Sequence, residues 1–122
     1  MNPRKKRRIE ELLRREISSI VLYEMNDPRV GPVALTRVDL AEDQRSARVF
    51  VIVRGTDEAA EESLRVLSGA HGFVQALIAR RLDLRYTPVL RFEMDRDVLQ
   101  AMRTEQLIKE ARRQDQEPPA PV

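Results

Sequence analysis

The sequence predicts an α+β fold, one domain in which helices pack on one face of a small three-stranded sheet. Three observations carry that prediction. Apolar residues recur at three- and four-residue steps in some segments and at two-residue steps in others, in the order helix, strand, strand, helix, helix, strand, helix. The chain has 122 residues, enough for one domain with a modest core and too few for a large multidomain enzyme. Its composition, 42% hydrophobic and 34% charged, is that of a folded chain with a well-solvated surface.

From Pro3 to about Met25, the residues Ile9, Leu12, Leu13, Ile17, Ile20 and Val21 line one face of a helix whose other face carries Arg7, Arg8, Arg14 and Arg15. Asn26-Asp27-Pro28 stops it, because the residue before a proline is steered away from helical angles and asparagine tolerates a left-handed cap. Arg29 to Pro32 form a loop. Two strands follow, Val33 to Ala41 and Ala47 to Arg54. In the second, Ala47, Val49, Val51 and Val53 alternate with Arg48, Phe50, Ile52 and Arg54. In the first, Val33 and Leu35 are out of step with Val38 and Leu40, which predicts a bulge near Thr36 and Arg37. The polar run Glu42-Asp43-Gln44-Arg45 joins the two strands as a hairpin.

Gly55-Thr56-Asp57 breaks the second strand, and Thr56 or Asp57 can cap the next helix, Glu58 to Ala70. Ala60, Leu64 and Leu67 face inward there, and the acidic first turn suits the helix dipole. Gly69 and Gly72 interrupt the pattern before Phe73, Val74, Leu77, Ile78 and Leu82 resume helical spacing, so two helices meet at a sharp bend. After Tyr86-Thr87-Pro88, a third strand from Val89 to Asp95 alternates Leu90, Phe92 and Met94 with Arg91 and Glu93. Asp97 is the expected cap of a last helix reaching about Arg113. The domain then spans residues 1–113, and residues 114–122, with three prolines, are expected to form a disordered tail.

The net charge of +2 conceals strong segregation. Residues 1–15 carry +5, 16–27 carry −3, 28–54 carry +2, 56–63 carry −4, 65–91 carry +4 and the remainder −2. All basic residues except Lys5, Lys6 and Lys109 are arginines, whose planar guanidinium suits phosphate. Genomic codon bias is the plain alternative for that preference.

Catalysis has little to draw on. There is one histidine, no cysteine and no GxxxxGK or GxGxxG loop, so neither a thiolate, a disulfide, a cysteine metal site nor nucleotide hydrolysis has support. His71 reads as a spacer at the bend. The adjacent acids Glu10-Glu11, Asp57-Glu58 and Glu61-Glu62 point to different sides of their helices and read as solvated surface rather than cation ligands. No cofactor is expected. The lack of cysteine fits a reducing cytosol, and no signal-peptide-like or membrane-length apolar run is present, so the expected location is cytoplasmic.

The basic groups are the better lead. Arg4-Lys5-Lys6-Arg7-Arg8 can neutralise several phosphates, with salt-sensitive affinity. Arg15, Arg29, Arg45 and Arg48 join it as candidates, and a second group, Arg80, Arg81 and Arg85, follows the bend. Each could equally be ordinary solvated surface. Aromatic content is only 4%, and Tyr23, Phe50, Phe73, Tyr86 and Phe92 read mainly as packing, which argues against a sheet that stacks unpaired bases. The expectation is a binder of structured RNA through its backbone.

Several segments, taken together in order and spacing, resemble the bacterial ribosome-binding factor A family from about Arg7 to Ile108. They are Arg15-Glu16-Ile17, Glu24-x-x-Asp27-Pro28-Arg29, Leu35-Thr36-x-Val38, Ala47-Arg48-Val49-Phe50-Val51, Ala70-His71-Gly72, and Arg81-Leu82-x-Leu84-Arg85-x-x-Pro88-x-Leu90-x-Phe92-x-x-Asp95. The resemblance implies a KH-like type II fold, αββααβ, with an Ala70-x-Gly72 helix kink in place of the usual Gly-x-x-Gly loop. It also implies a third strand lying parallel beside the first. Gln75 stands where family members often have arginine, which removes one charge near the kink.

For function, the resemblance implies a monomeric, non-enzymatic factor that binds the free immature 30S subunit and its 16S rRNA. It would assist late 30S maturation and 16S 5′-end processing, with a link to cold adaptation, and would take no membrane or small-molecule partner. The alternative from another class is a protein-binding adaptor using the acidic surface from Asp57 to Glu62. A nuclease is the third.

Overall fold

The computed structural model describes residues 1–116. Helix α1 (Pro3–Tyr23) begins where Asn2 accepts the Lys5 N–H at 2.7 Å and Pro3 needs no partner for its nitrogen. Ile9, Leu13, Ile17, Ile20 and Val21 are buried along one stripe, whereas Leu12, expected inward, lies on the flank and stays 41% exposed.

Strands β1 (Val33–Leu40) and β2 (Ser46–Val53) pair antiparallel, and the register shifts between Leu35 and Arg37, where the change of phase places the bulge. Their connection contains Gln44 at φ 63, whose N–H reaches the Ala41 carbonyl. Beyond β2, Gly55 takes φ 125, a conformation costly for any side chain, and Thr56 caps helix α2 (Asp57–Gly69) by accepting the Ala59 N–H. Helix α3 (His71–Arg81) is separated from α2 by the single residue Ala70. Strand β3 (Val89–Met94) and helix α4 (Arg96–Gln116) complete the chain.

The sheet order is β1-β2-β3, with β3 parallel to β2 from Ser46↔Val89 to Val51↔Met94. This corrects the expectation that the third strand lies beside the first. A strand followed by a helical crossover returns to its own neighbouring edge, and here that edge is β2. The far edge of β1 is already met by α1, where Glu10 accepts the outward Leu40 N–H at 2.8 Å. On the opposite side of the sheet, Gln75 of α3 accepts the Leu90 N–H of β3 at 2.9 Å.

One face of the sheet contributes Val38, Leu40, Ala47, Val49, Val51, Val53, Leu90 and Phe92 to the core, closed by α1, by Ala60 and Leu67 of α2, and by Val74 and Ile78 of α3. Ser63 of α2 is also buried. Its hydroxyl accepts the Gly31 N–H and donates to the Arg29 carbonyl, fastening the loop after α1 to α2.

Two terminal expectations need correction. The cap of α4 is Asp95, which accepts the Val98 N–H at 3.1 Å, and not Asp97, which sits inside the first turn. Helix α4 also runs to Gln116, so residues 114–116 belong to it; the remainder of the expected tail lies outside the described residues. No residue of α4 is buried.

Candidate nucleic-acid interface

Three of the four helices suit the helix dipole at one end or both. Acids open α2 (Asp57, Glu58) and α4 (Asp97), and bases close α3 (Arg80, Arg81) and α4 (Arg113). Helix α1 inverts the rule: its first turn has no acid and its last turn no base, and Arg4 and Lys5 stand at its positive end. Arg4, Lys5, Arg7 and Arg8 are exposed and make no ion pair among the described residues. Lys6 is drawn toward Asp39 at 3.4 Å and Glu42 at 3.8 Å. Those two contacts bring the start of α1 to the end of the sheet where the β1–β2 hairpin turns.

The same end holds Arg45 and Arg85. The Arg45 carbonyl accepts the Val89 N–H, joining the hairpin to the start of β3. The Arg45 and Arg85 guanidiniums lie 5.0 and 5.4 Å from the Tyr86 ring centroid. Folding thus gathers residues far apart in sequence into one cationic end: Arg4, Lys5, Arg7, Arg8, Arg45 and Arg85.

The other candidates, Arg80 excepted, are engaged inside the chain. Arg15 shares Glu11 with Arg14, and the Arg14 hydrogen bonds are the main reason that Glu11 is held down to about 2. Arg29 does the same to Asp27, with its side chain as the larger cause and its backbone N–H as the second. Arg48 pairs with Glu93. Arg81 bridges to Glu16 of α1 and to Glu24 at its C-terminal cap, and its pKa is raised by those hydrogen bonds, Glu24 first. Arg80, Arg81 and Arg85 therefore do not act as one group: Arg80 is exposed, Arg81 ties α3 to α1 and Arg85 turns to Tyr86.

At the bend, Ala70 has φ −92 and ψ 6, and its N–H bonds to the Val66 and Leu67 carbonyls. Beside it lies a surface hollow of about 430 Å³ lined by Asp27, Arg29, Glu62, Arg65, Val66, Gly69 and Ala70. Gly72 keeps ordinary helical angles, and a Cβ placed there would meet nothing within 4 Å, so the bend is made by Ala70 without relief from glycine. His71 is turned to Gln75 at 2.9 Å, and Gln75 is committed to the edge of β3.

Sequence reasoning missed Arg37 and Arg65, the second of which lines the hollow beside Ala70. Arg37 lies on the open face of the sheet, 3.8 Å from the Phe50 centroid and 3.6 Å from Asp95. Only the phase change in β1 pointed that way. It also misread two aromatics: Tyr23 is 81% and Phe73 49% exposed, so neither is packing. The acids of α2 serve its N-terminus, and exposed Asp57 lies 3.7 Å from Arg103. Among the described residues no group of His, Cys, Asp or Glu could hold a metal ion, and no helix is long and apolar enough to cross a membrane.

Residues 5–108 match the profile of the ribosome-binding factor A family. The chain is 40% identical over 109 residues to ribosome-binding factor A of Thermomicrobium roseum, covering 89% of this chain and 84% of that one. It is 35% identical to the Halothermothrix orenii protein of that name over 95% of both chains. Among solved structures, ribosome-binding factor A from Thermus thermophilus superposes with a TM-score of 0.66 at 31% identity, covering 75% of this chain and 97% of that one. A Thermus thermophilus homology model fitted into the cryo-EM map of a 30S complex superposes with a TM-score of 0.58 at 30% identity, over 70% of this chain and 90% of that one. With its αββααβ domain, its bend at Ala70 and these likenesses, the chain belongs to the ribosome-binding factor A family.

Proposed function

We propose that this chain binds the immature small ribosomal subunit through the 16S rRNA backbone, assisting late maturation and 5′-end processing without catalysis. The inverted charge of α1 carries the reading. Cations at the positive end of a helix oppose its dipole, and α1, alone of the four helices, is served at neither end, which points to a demand from outside the fold. Arg4, Lys5, Arg7 and Arg8 are already exposed and unneutralised, so a phosphate backbone gains them without breaking an internal ion pair. The relative fitted into a 30S complex supports the choice of partner.

Replacing Arg4 and Lys5 together by glutamate separates this role from mere solubility. The variant is expected to melt at the same temperature as the wild type or higher, because the dipole is then served, while its affinity for purified 30S subunits falls at least tenfold at low salt. Unchanged 30S affinity overturns the reading. Specific cleavage of precursor 16S rRNA by the wild-type protein in magnesium overturns the absence of catalysis.

A further inference from the structure

Two aromatic rings in this domain are each flanked by two guanidiniums, and they differ in how the charge is balanced. At Phe50, Arg37 lies 3.8 Å and Arg48 4.8 Å from the centroid. Asp95 faces the first guanidinium and Glu93 the second, and Phe50 is only 5% exposed. That arrangement is closed within the chain and covers an apolar ring on the open face of the sheet. At Tyr86, Arg45 lies at 5.0 Å and Arg85 at 5.4 Å. Both arginines are exposed, the ring is half-buried, and neither guanidinium has a carboxylate partner among the described residues.

Two cations drawn to one ring repel each other, and no ion pair among the described residues offsets that repulsion; the neighbouring Asp43 carboxylate is turned to the Arg45 backbone N–H at 3.0 Å. A guanidinium at a ring still offers its N–H edge to a phosphate and a flat face to a base. We propose that Arg45, Tyr86 and Arg85 form a stacking site for one unpaired RNA nucleotide. The base extends the stack of planar groups and its phosphate is held by the guanidinium edges. Any base suits such a site, because every base has a π-face. An acidic peptide would answer the charge and leave the planes unused, which favours the nucleotide. The site rests on the rRNA-binding reading above and refines it: Lys6, held by Asp39 and Glu42, places the cationic turns of α1 at the same end, so the nucleotide is one that leaves a duplex whose backbone runs along α1.

The probes are two RNA hairpins of equal length and charge, one fully paired and one with a single bulged 2-aminopurine. The full-length wild type is expected to bind the bulged hairpin about tenfold more tightly and to quench its fluorescence. Tyr86→Phe keeps that preference. Tyr86→Leu loses it while binding the paired hairpin as before. Should the leucine variant fail to fold by circular dichroism, the double variant Arg45→Gln with Arg85→Gln, changed only at exposed side chains, is expected to bind both hairpins more weakly, having lost two cations, and to bind them equally. Equal affinity of the wild type for both hairpins, or a preference that survives these changes, overturns the stacking site and leaves the phosphate reading standing. Absence of binding to either hairpin at low salt overturns both. Competition by a poly-glutamate peptide at Tyr86, with no bulge preference, assigns the site to an acidic protein instead.

Discussion

Asp95 links three elements through one buried carboxylate. It accepts from the Thr36 hydroxyl at the bulge and from the Val98 N–H at the head of α4, and it faces Arg37 at 3.6 Å. The Thr36 hydrogen bond is the largest cause holding its pKa below the ordinary value, outweighing the burial that raises it. The folded state therefore favours the ionised form. That stabilisation is complete above the ordinary carboxylate range and is lost as pH falls through the folded value. Asp95→Ala is expected to cost about 2 kcal/mol at neutral pH, since it leaves the cap N–H unanswered, removes the carboxylate facing Arg37 and leaves the Thr36 hydroxyl only the Phe50 carbonyl at 3.3 Å. The deficit should narrow in acid. Urea unfolding of both proteins at neutral and strongly acidic pH checks it, and a deficit independent of pH would refute the assignment. The sequence led to Asp97 instead, because a cap is read from its place ahead of a helical pattern and the reach of Asp95 back to Thr36 spans 59 residues. Arg81 was opaque for the same reason: its partners Glu16 and Glu24 stand 65 and 57 positions away.

At the scale of elements, the joint between α2 and α3 behaves differently from what an Ala-x-Gly pattern suggests. Ala70 alone leaves helical hydrogen bonding intact on both sides, since it donates back to Val66 and its carbonyl takes the Val74 N–H. Gly72 sits in the first turn of α3, exposed and uncrowded. Gly72→Ala is therefore expected to stabilise the domain by up to about 1 kcal/mol, the helix preference of alanine over glycine. Thermal unfolding measures it, and a large loss would show that the bend needs glycine. Elements whose apolar period is strong were legible: the stripe of α1, the alternation of β2 and the bulge of β1 follow from spacing alone. Strand order was not. Alternation says which face of a strand is buried and is silent on which neighbour its edge meets, so placing β3 beside β2 needed the crossover and the obstruction of β1 by α1.

For the molecule as a whole, the two-layer economy is simple: α1, α2 and α3 close one sheet face, and no residue of α4 is buried. Removal of residues 104–122 is accordingly expected to leave the unfolding midpoint in urea unchanged, because Asp95, Val98 and the core all remain. A clear drop would mean that α4 supports the domain after all. The candidate site was half legible at this scale. Its cations were visible as a basic run, yet which of them are spent inside the chain depends on tertiary ion pairs that composition does not encode.

The two outer strands of the sheet carry a consequence for how this protein can meet others. Glu10 occupies an outward N–H of β1, and Gln75 occupies one of β3. A guest strand seeking to lengthen the sheet would have to evict a helix side chain from either border before its own backbone could pair. Recruitment by strand addition, and with it runaway edge-to-edge polymerisation, is disfavoured on both sides. Partners are left to recognise the protein by its side chains.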